Sequence, residues 1–182
     1  MITSMHIKSA LALAALLALP MAQAAMSKAE LKTGMDRISE EYKTDKTACD
    51  QHSGNAHDIC VESAKGKEKV AKAELTHNYS NSQADWNKLQ VAKADAVYEL
   101  AKEKCDDKAG DAKDLCNKEA KTTHVKALAD AKLSKRVTEA RADAASDKRT
   151  ANYKLAIEKC ESLAGDAKAS CTAAAKADMG KN

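Results

Sequence analysis

Two cysteines and two histidines stand close together near residue 55. They follow the pattern C-x2-H-x4-H-x2-C, with Cys49, His52, His57 and Cys60. Thiolates and imidazoles are the ligands that zinc and related ions take in tetrahedral sites. One interpretation is therefore a metal-sequestering site in this segment, and no other cofactor is indicated.

The other four cysteines favour a different interpretation of this motif. They form two more pairs with the same ten-residue gap, Cys105 with Cys116 and Cys160 with Cys171. The positions aligned with the two histidines hold other residues, namely Lys108, Lys113, Leu163 and Lys168. Cysteine pairs that recur without histidine indicate disulfides, and disulfides remove the thiolates that a metal needs.

We therefore predict three local disulfides, Cys49 to Cys60, Cys105 to Cys116 and Cys160 to Cys171. His52 and His57 remain as a weak candidate pair for copper or zinc. The chain has no C-x-x-C pair of the kind used in thiol-disulfide catalysis. The cysteines therefore predict a structural role.

The cysteine pairs belong to a repeat of 55 to 56 residues, with copies at 42–65, 98–121 and 153–176. Each copy has Tyr seven residues before its first Cys, and Gly followed by Asn or Asp between the two Cys. We expect the Gly to end one helix in a left-handed conformation and the Asn or Asp to cap the next helix. Each copy is then a helical hairpin with facing thiols.

The composition favours helix along most of the chain. There is no Phe, one Trp and a single Pro, which lies at residue 20, and Ala, Lys, Asp and Glu dominate. A thick core is excluded by the shortage of large apolar residues. The predicted fold class is all-α, an elongated antiparallel bundle or coiled coil of three disulfide-stapled hairpin repeats.

Two long segments, 56–109 and 112–164, connect the predicted turns. We expect the polar stretch 76–82 to break the first of them, whereas nothing comparable interrupts the second. Simple up-down packing would place turns one and three at one end and turn two at the other. The predicted seam residues are Trp86, Leu89, Ala94, Tyr98 and Cys105 in the first segment and Val125, Leu128, Leu133, Val137 and Ala140 in the second.

Residues 1–24 have the form of a secretory signal peptide. Lys8 precedes a short apolar run, which Pro20 and the triplet Ala-Gln-Ala follow. We expect a single mature helical domain at 25–182, located in a bacterial periplasm. No segment is apolar over the roughly 20 residues that a membrane span requires.

The charge pattern and the lack of catalytic motifs limit the classes of function. The 30 Lys and Arg are interleaved with 27 Asp and Glu, which argues against a nucleic-acid interface. No nucleophile, base and loop combine into an enzyme site. We expect a non-enzymatic interaction, spacer or envelope-stress protein with a protein partner. The alternatives are a holdase-type chaperone and the metal-sequestering protein described above.

Overall fold

The computed structural model describes residues 26–180, and the predicted signal peptide lies outside this range. The described chain is all-α and contains no strand. Its helices are α1 (Lys28–Cys49), α2 (Asn55–Ser80), α3 (Gln83–Cys105), α4 (Gly110–Glu161) and α5 (Gly165–Gly180). None of these helices has a stretch long and apolar enough to cross a membrane.

The break predicted in the first long segment is confirmed, because α2 ends at Ser80 and α3 begins at Gln83. Ser82 caps α3 by accepting a hydrogen bond from the Asp85 amide at 3.1 Å. Hydrogen bonds from Lys88, Ser80 and Ser82 lower the pKa of Asp85 to about 2. The polar residues of this segment thus stabilise the start of a new helix.

The second long segment forms one continuous helix, α4, as its sequence predicts. It runs for 52 residues, which corresponds to a length of about 78 Å at 1.5 Å per residue. It is twice the length of α2, the next longest helix, which has 26 residues. This length difference sets the shape of the chain.

Within the described residues, each helix packs only on the helices next to it in the sequence. The short α2/α3 connection turns the chain back, so that Asn55 Nδ2 donates to the Glu103 carbonyl at 2.9 Å. Turns one and two therefore lie at the same end, and the third turn lies at the far end of α4. The expectation that turns one and three share an end was wrong, because the predicted break is itself a hairpin.

Three disulfides join the helices across the three turns. They link Cys49 with Cys60, Cys105 with Cys116 and Cys160 with Cys171, the pairs predicted from spacing. Their Cα atoms are 5.6 to 5.7 Å apart, within the range that this bond requires. Three disulfides indicate an oxidising compartment outside the cytosol.

The conserved geometry of the turns differs in one respect from the sequence prediction. Gly54, Gly110 and Gly165 have φ values of 56°, 55° and 59°, but they stand at the start of the second helix and not at the end of the first. The Asn55 side chain binds Glu103 and does not cap α2. A Cβ at these glycines would meet no atom within 4 Å. Their positive φ, and not crowding, favours glycine.

The core of the described chain is a narrow line of small side chains. Its buried residues are Ile38, Cys49, Ala64, Leu89, Ala92, Ala94, Cys105, Ala120, Ala131, Cys160 and Ala175. In all three repeats the first Cys is buried, and so is the Ala four residues after the second Cys. These equivalent positions form the contact between the two helices of each hairpin.

The predicted seams are only partly correct. Leu89 is 2% exposed and Ala94 is also buried, as expected, whereas Leu133 in α4 is 58% exposed. Val125, Val137 and Ala140 are exposed too. The prediction for α4 was wrong because α3 contacts the face of α4 that carries Ala120 and Ala131.

The terminal helix α5 should depend most on its disulfide, because it packs on α4 alone and buries only Ala175. Replacing Cys160 and Cys171 with Ala removes a constraint worth about 3 kcal/mol for a loop of this size. We expect amide hydrogen exchange in α5 to reach the rate of an unfolded peptide while α3 stays protected.

The matched control is the Cys49→Ala, Cys60→Ala variant, in which α2 keeps its packing against α3. Exchange in α2 should change much less than exchange in α5 does. Full protection of α5 after loss of its disulfide would show that side-chain packing alone holds this helix.

Candidate functional site

The largest cavity of the described chain is a groove between α3 and α4, with a volume of about 580 Å³. Both helices present small side chains along it, at Ala94, Ala101, Ala120, Ala127 and Ala131. We call this cavity the α3/α4 groove. Its volume is within the range of small-molecule and peptide sites.

Trp86 stands at the end of the groove nearest the α2/α3 connection. It is half-buried, and its ring lies 5.2 Å from the ring of His77 on α2. The sequence predicts Trp86 in the seam, and the structure places it at the edge of the seam with part of its ring in the groove. Trp86 is therefore available for contact with a partner.

Tyr98 and His124 form the opposite part of the groove wall. Their rings stack with centroids 4.5 Å apart and planes within 6°. Lys102 Nζ lies 5.4 Å from the centre of the Tyr98 ring, a cation-π distance. Tyr42 and Tyr153, the equivalents in the other repeats, are also half-buried, so this Tyr belongs to the hairpin packing in all three copies.

A polar network behind this wall connects three helices. Asp95 on α3 accepts from Lys69 Nζ on α2 and from His124 Nε2 on α4, each at 2.8 Å. Burial raises the pKa of Asp95, but the hydrogen bonds from Lys69 and His124 lower it by more, so its pKa lies below the ordinary value. The ionised carboxylate holds His124 with its Nε2 as the donor and fixes the ring against Tyr98.

Two charged residues stand on the rim near the middle of the groove, Lys93 on α3 and Asp130 on α4. Both are exposed, and neither has an ion-pair or hydrogen-bond partner among residues 26–180. Most other lysines along these helices do have such partners, for example Lys88 with Asp85. The groove thus offers one unpaired charge of each sign.

The Cys/His motif of the first turn forms a different arrangement. The sulfur atoms of Cys49 and Cys60 are bonded to each other. His57 lies 3.1 Å from Asp58 and 3.8 Å from Asp50, while His52 is exposed. In the described part of the chain, no group of three or more His, Cys, Asp or Glu is arranged to hold a metal ion.

Comparison of the chain with protein-family models, curated proteins and solved structures finds no match. The interpretation of the groove therefore depends on its own geometry. That geometry offers an apolar floor, an aromatic residue near each end and two unpaired charges on the rim.

Sequence reasoning placed His124 among ordinary surface histidines, whereas its side chain is 17% exposed and bonded to Asp95. The disulfide register contains the signal that would have found the contact. Tyr98 is seven residues before Cys105, and His124 is eight residues after Cys116. In an antiparallel hairpin held at these cysteines, the two rings must meet.

Asp95→Asn should destabilise the protein by about 1 kcal/mol at pH 7, since it removes the charge that two hydrogen bonds use. The folded pKa of Asp95 is below the ordinary 3.8. Its stabilising effect is therefore present above pH 3.8 and is lost as the pH falls through the folded pKa. The difference between wild type and variant should disappear in strong acid.

Urea denaturation over a range of pH measures this difference. Asp143→Asn is the control, because Asp143 is exposed in the unpartnered middle of α4. A difference for Asp95→Asn that stays constant down to pH 2 would show that the carboxylate charge has no role in the network.

Proposed function

We propose that this protein is a non-enzymatic spacer and interaction protein of the periplasm. One observation carries the proposal: α4 is a single 52-residue helix that joins two disulfide-linked parts of the chain. The first part contains α1, α2, α3 and the beginning of α4, and the second contains the end of α4 and α5. A helix shared by two parts fixes the distance between them.

The middle of α4 supports this proposal because it has no neighbour among the described helices. The groove against α3 extends to Ser134, and the cleft against α5 begins at Arg149. Every residue from 139 to 148 is exposed. This stretch contributes no core, so its length matters for the separation of the two ends and not for packing.

The chemistry of the surface also favours binding over catalysis. Charged side chains along the helices are mostly paired at i,i+3 or i,i+4, such as Lys32 with Asp36 and Lys102 with Glu99. The Asp95 and His124 pair is used to hold three helices together. A protein partner at each end, in an oxidising compartment, is the arrangement that this architecture suits.

Site-specific photocrosslinking in cells tests the proposal. A photoreactive residue in place of His52 reports on the first turn, and one in place of Leu163 reports on the third turn. A third variant at Ala144, in the middle of α4, is the matched control. We expect protein adducts at both ends and none at Ala144.

Removing residues 138–148 separates spacing from binding. The deletion takes out 11 residues, about three helical turns, and shortens α4 by roughly 16 Å without changing its rotational phase. Each partner should still bind singly, whereas the complex that contains both should be lost. Adducts at neither end, or a complex that tolerates the deletion, would contradict the spacer function.

A second candidate function is a holdase-type chaperone, and the exposed apolar residues beside the groove favour it. Val97 lines the groove and is 60% exposed, and surfaces of this kind bind unfolded chains. A dye that fluoresces on apolar surfaces should then bind strongly, and Val97→Asp should reduce its signal. Val125→Asp, at an exposed residue outside the groove, is the control. Weak dye binding by the wild type would remove this candidate.

A further inference from the structure

The groove of the second hairpin differs from the same surface of the first hairpin. Both hairpins share the disulfide, the Tyr and the buried Ala, so their helices have equivalent registers. At three groove positions the first repeat has charged residues: Glu41 for Val97, Asp45 for Ala101 and Lys67 for Thr123. Because the hairpin forms with either set, its packing does not require an apolar groove. The apolar groove therefore serves a contact outside the hairpin.

The charges on the rim indicate which partner fits. In the antiparallel α3/α4 pair, Lys93 and Asp130 lie within about 3 Å of the same height along the helix axis, near the centre of the groove. A two-fold axis through this centre and normal to the groove places Lys93 of one copy against the partner's Asp130, and the reverse pair forms at the same time. Each unpaired charge then has a partner of opposite sign.

The shape of the groove is self-complementary in the same way. Trp86 is the bulky residue at one end, whereas Ala101 and Ala120 are at the other end. The two-fold rotation exchanges these ends, so that the partner's Trp86 lies over the alanines of the first copy. Large side chains facing small ones is the condition for close packing between helices.

We propose that two copies of this chain associate through their α3/α4 grooves, forming an antiparallel four-helix bundle around this axis. The groove spans residues 86–101 of α3, about 22 Å long, and two helices give a width of roughly 20 Å. Two such faces bury on the order of 1,000 Å² in total, which is the size a specific interface needs. Val97, which is 60% exposed in the single chain, becomes part of that interface.

This dimer extends the spacer function without being required by it. The two α4 helices leave the bundle in opposite directions, each extending about 50 Å from the axis to its third turn. The dimer then presents one α4/α5 hairpin at each end, roughly 100 Å apart. A spacer with two identical ends results.

Charge reversal in the mature, oxidised protein tests the interface by sedimentation velocity between 1 and 100 μM. Lys93→Asp faces the partner's Asp130 with a like charge, and Asp130→Lys faces the partner's Lys93 with a like charge. We expect each single variant to dimerise at least 10-fold more weakly than wild type. The double variant should recover the dimer, and an equimolar mixture of the two single variants should form a heterodimer.

Lys126→Asp, at an exposed lysine of α4 outside the groove, should leave the dimer unchanged. Far-ultraviolet circular dichroism shows whether each variant keeps its helix content, and rescue in the mixture shows that both single variants are folded. A wild-type protein that is monomeric at 100 μM overturns the proposal, whether or not it binds an apolar dye. A dimer that is insensitive to both reversals overturns it as well.

Discussion

Each disulfide holds two helices about 5.6 Å apart near a turn, a separation at which only small residues fit between the backbones. The buried Ala64, Ala120 and Ala175, each four residues beyond the second Cys, follow from this constraint. Close backbones in turn leave little apolar area to bury. On the chain-entropy account each bridge contributes about 3 kcal/mol, an amount comparable to what a narrow alanine seam of this kind provides. Cross-linking and small core residues are thus two sides of one design.

The serial packing of the helices follows from the same thin core. A helix with one apolar stripe can cover one neighbour on each side, and within the described residues each helix contacts only its neighbours in sequence. Glycine supports this close contact twice: a Cβ at Gly66 would lie 3.1 Å from that of Ala96, and one at Gly34 would lie 2.6 Å from Leu75 Cδ2. Charged pairs such as Lys67 with Asp45 then link adjacent helices over the seam. The protein gains length in place of depth.

Local features were predictable from the sequence because they depend on residues close together in the chain. The ten-residue cysteine gaps predict the disulfides, and the polar run 76–82 predicts the end of α2. The direction of the chain after that run was not predictable, since a polar break is compatible with both a kink and a reversal. The exposure of Val125 and Leu133 has the same cause. Once α3 folds back, it covers only one face of α4, and periodicity alone does not say which. The groove and its Asp95 network depend on that face and so were missed.

The order of the cysteines along the chain has a consequence for the way this protein reaches its native state. Every disulfide joins cysteines that are consecutive in the sequence, and helix contacts are confined to sequential neighbours. A chain that crosses a membrane from its N-terminus exposes Cys49 and Cys60 before the next pair emerges. An oxidant that joins thiols in order of appearance therefore makes native bonds directly, without later exchange of partners. Contacts between sequence neighbours also keep the entropy of loop closure small. Such a chain can complete each hairpin during translocation and does not have to wait for its C-terminus.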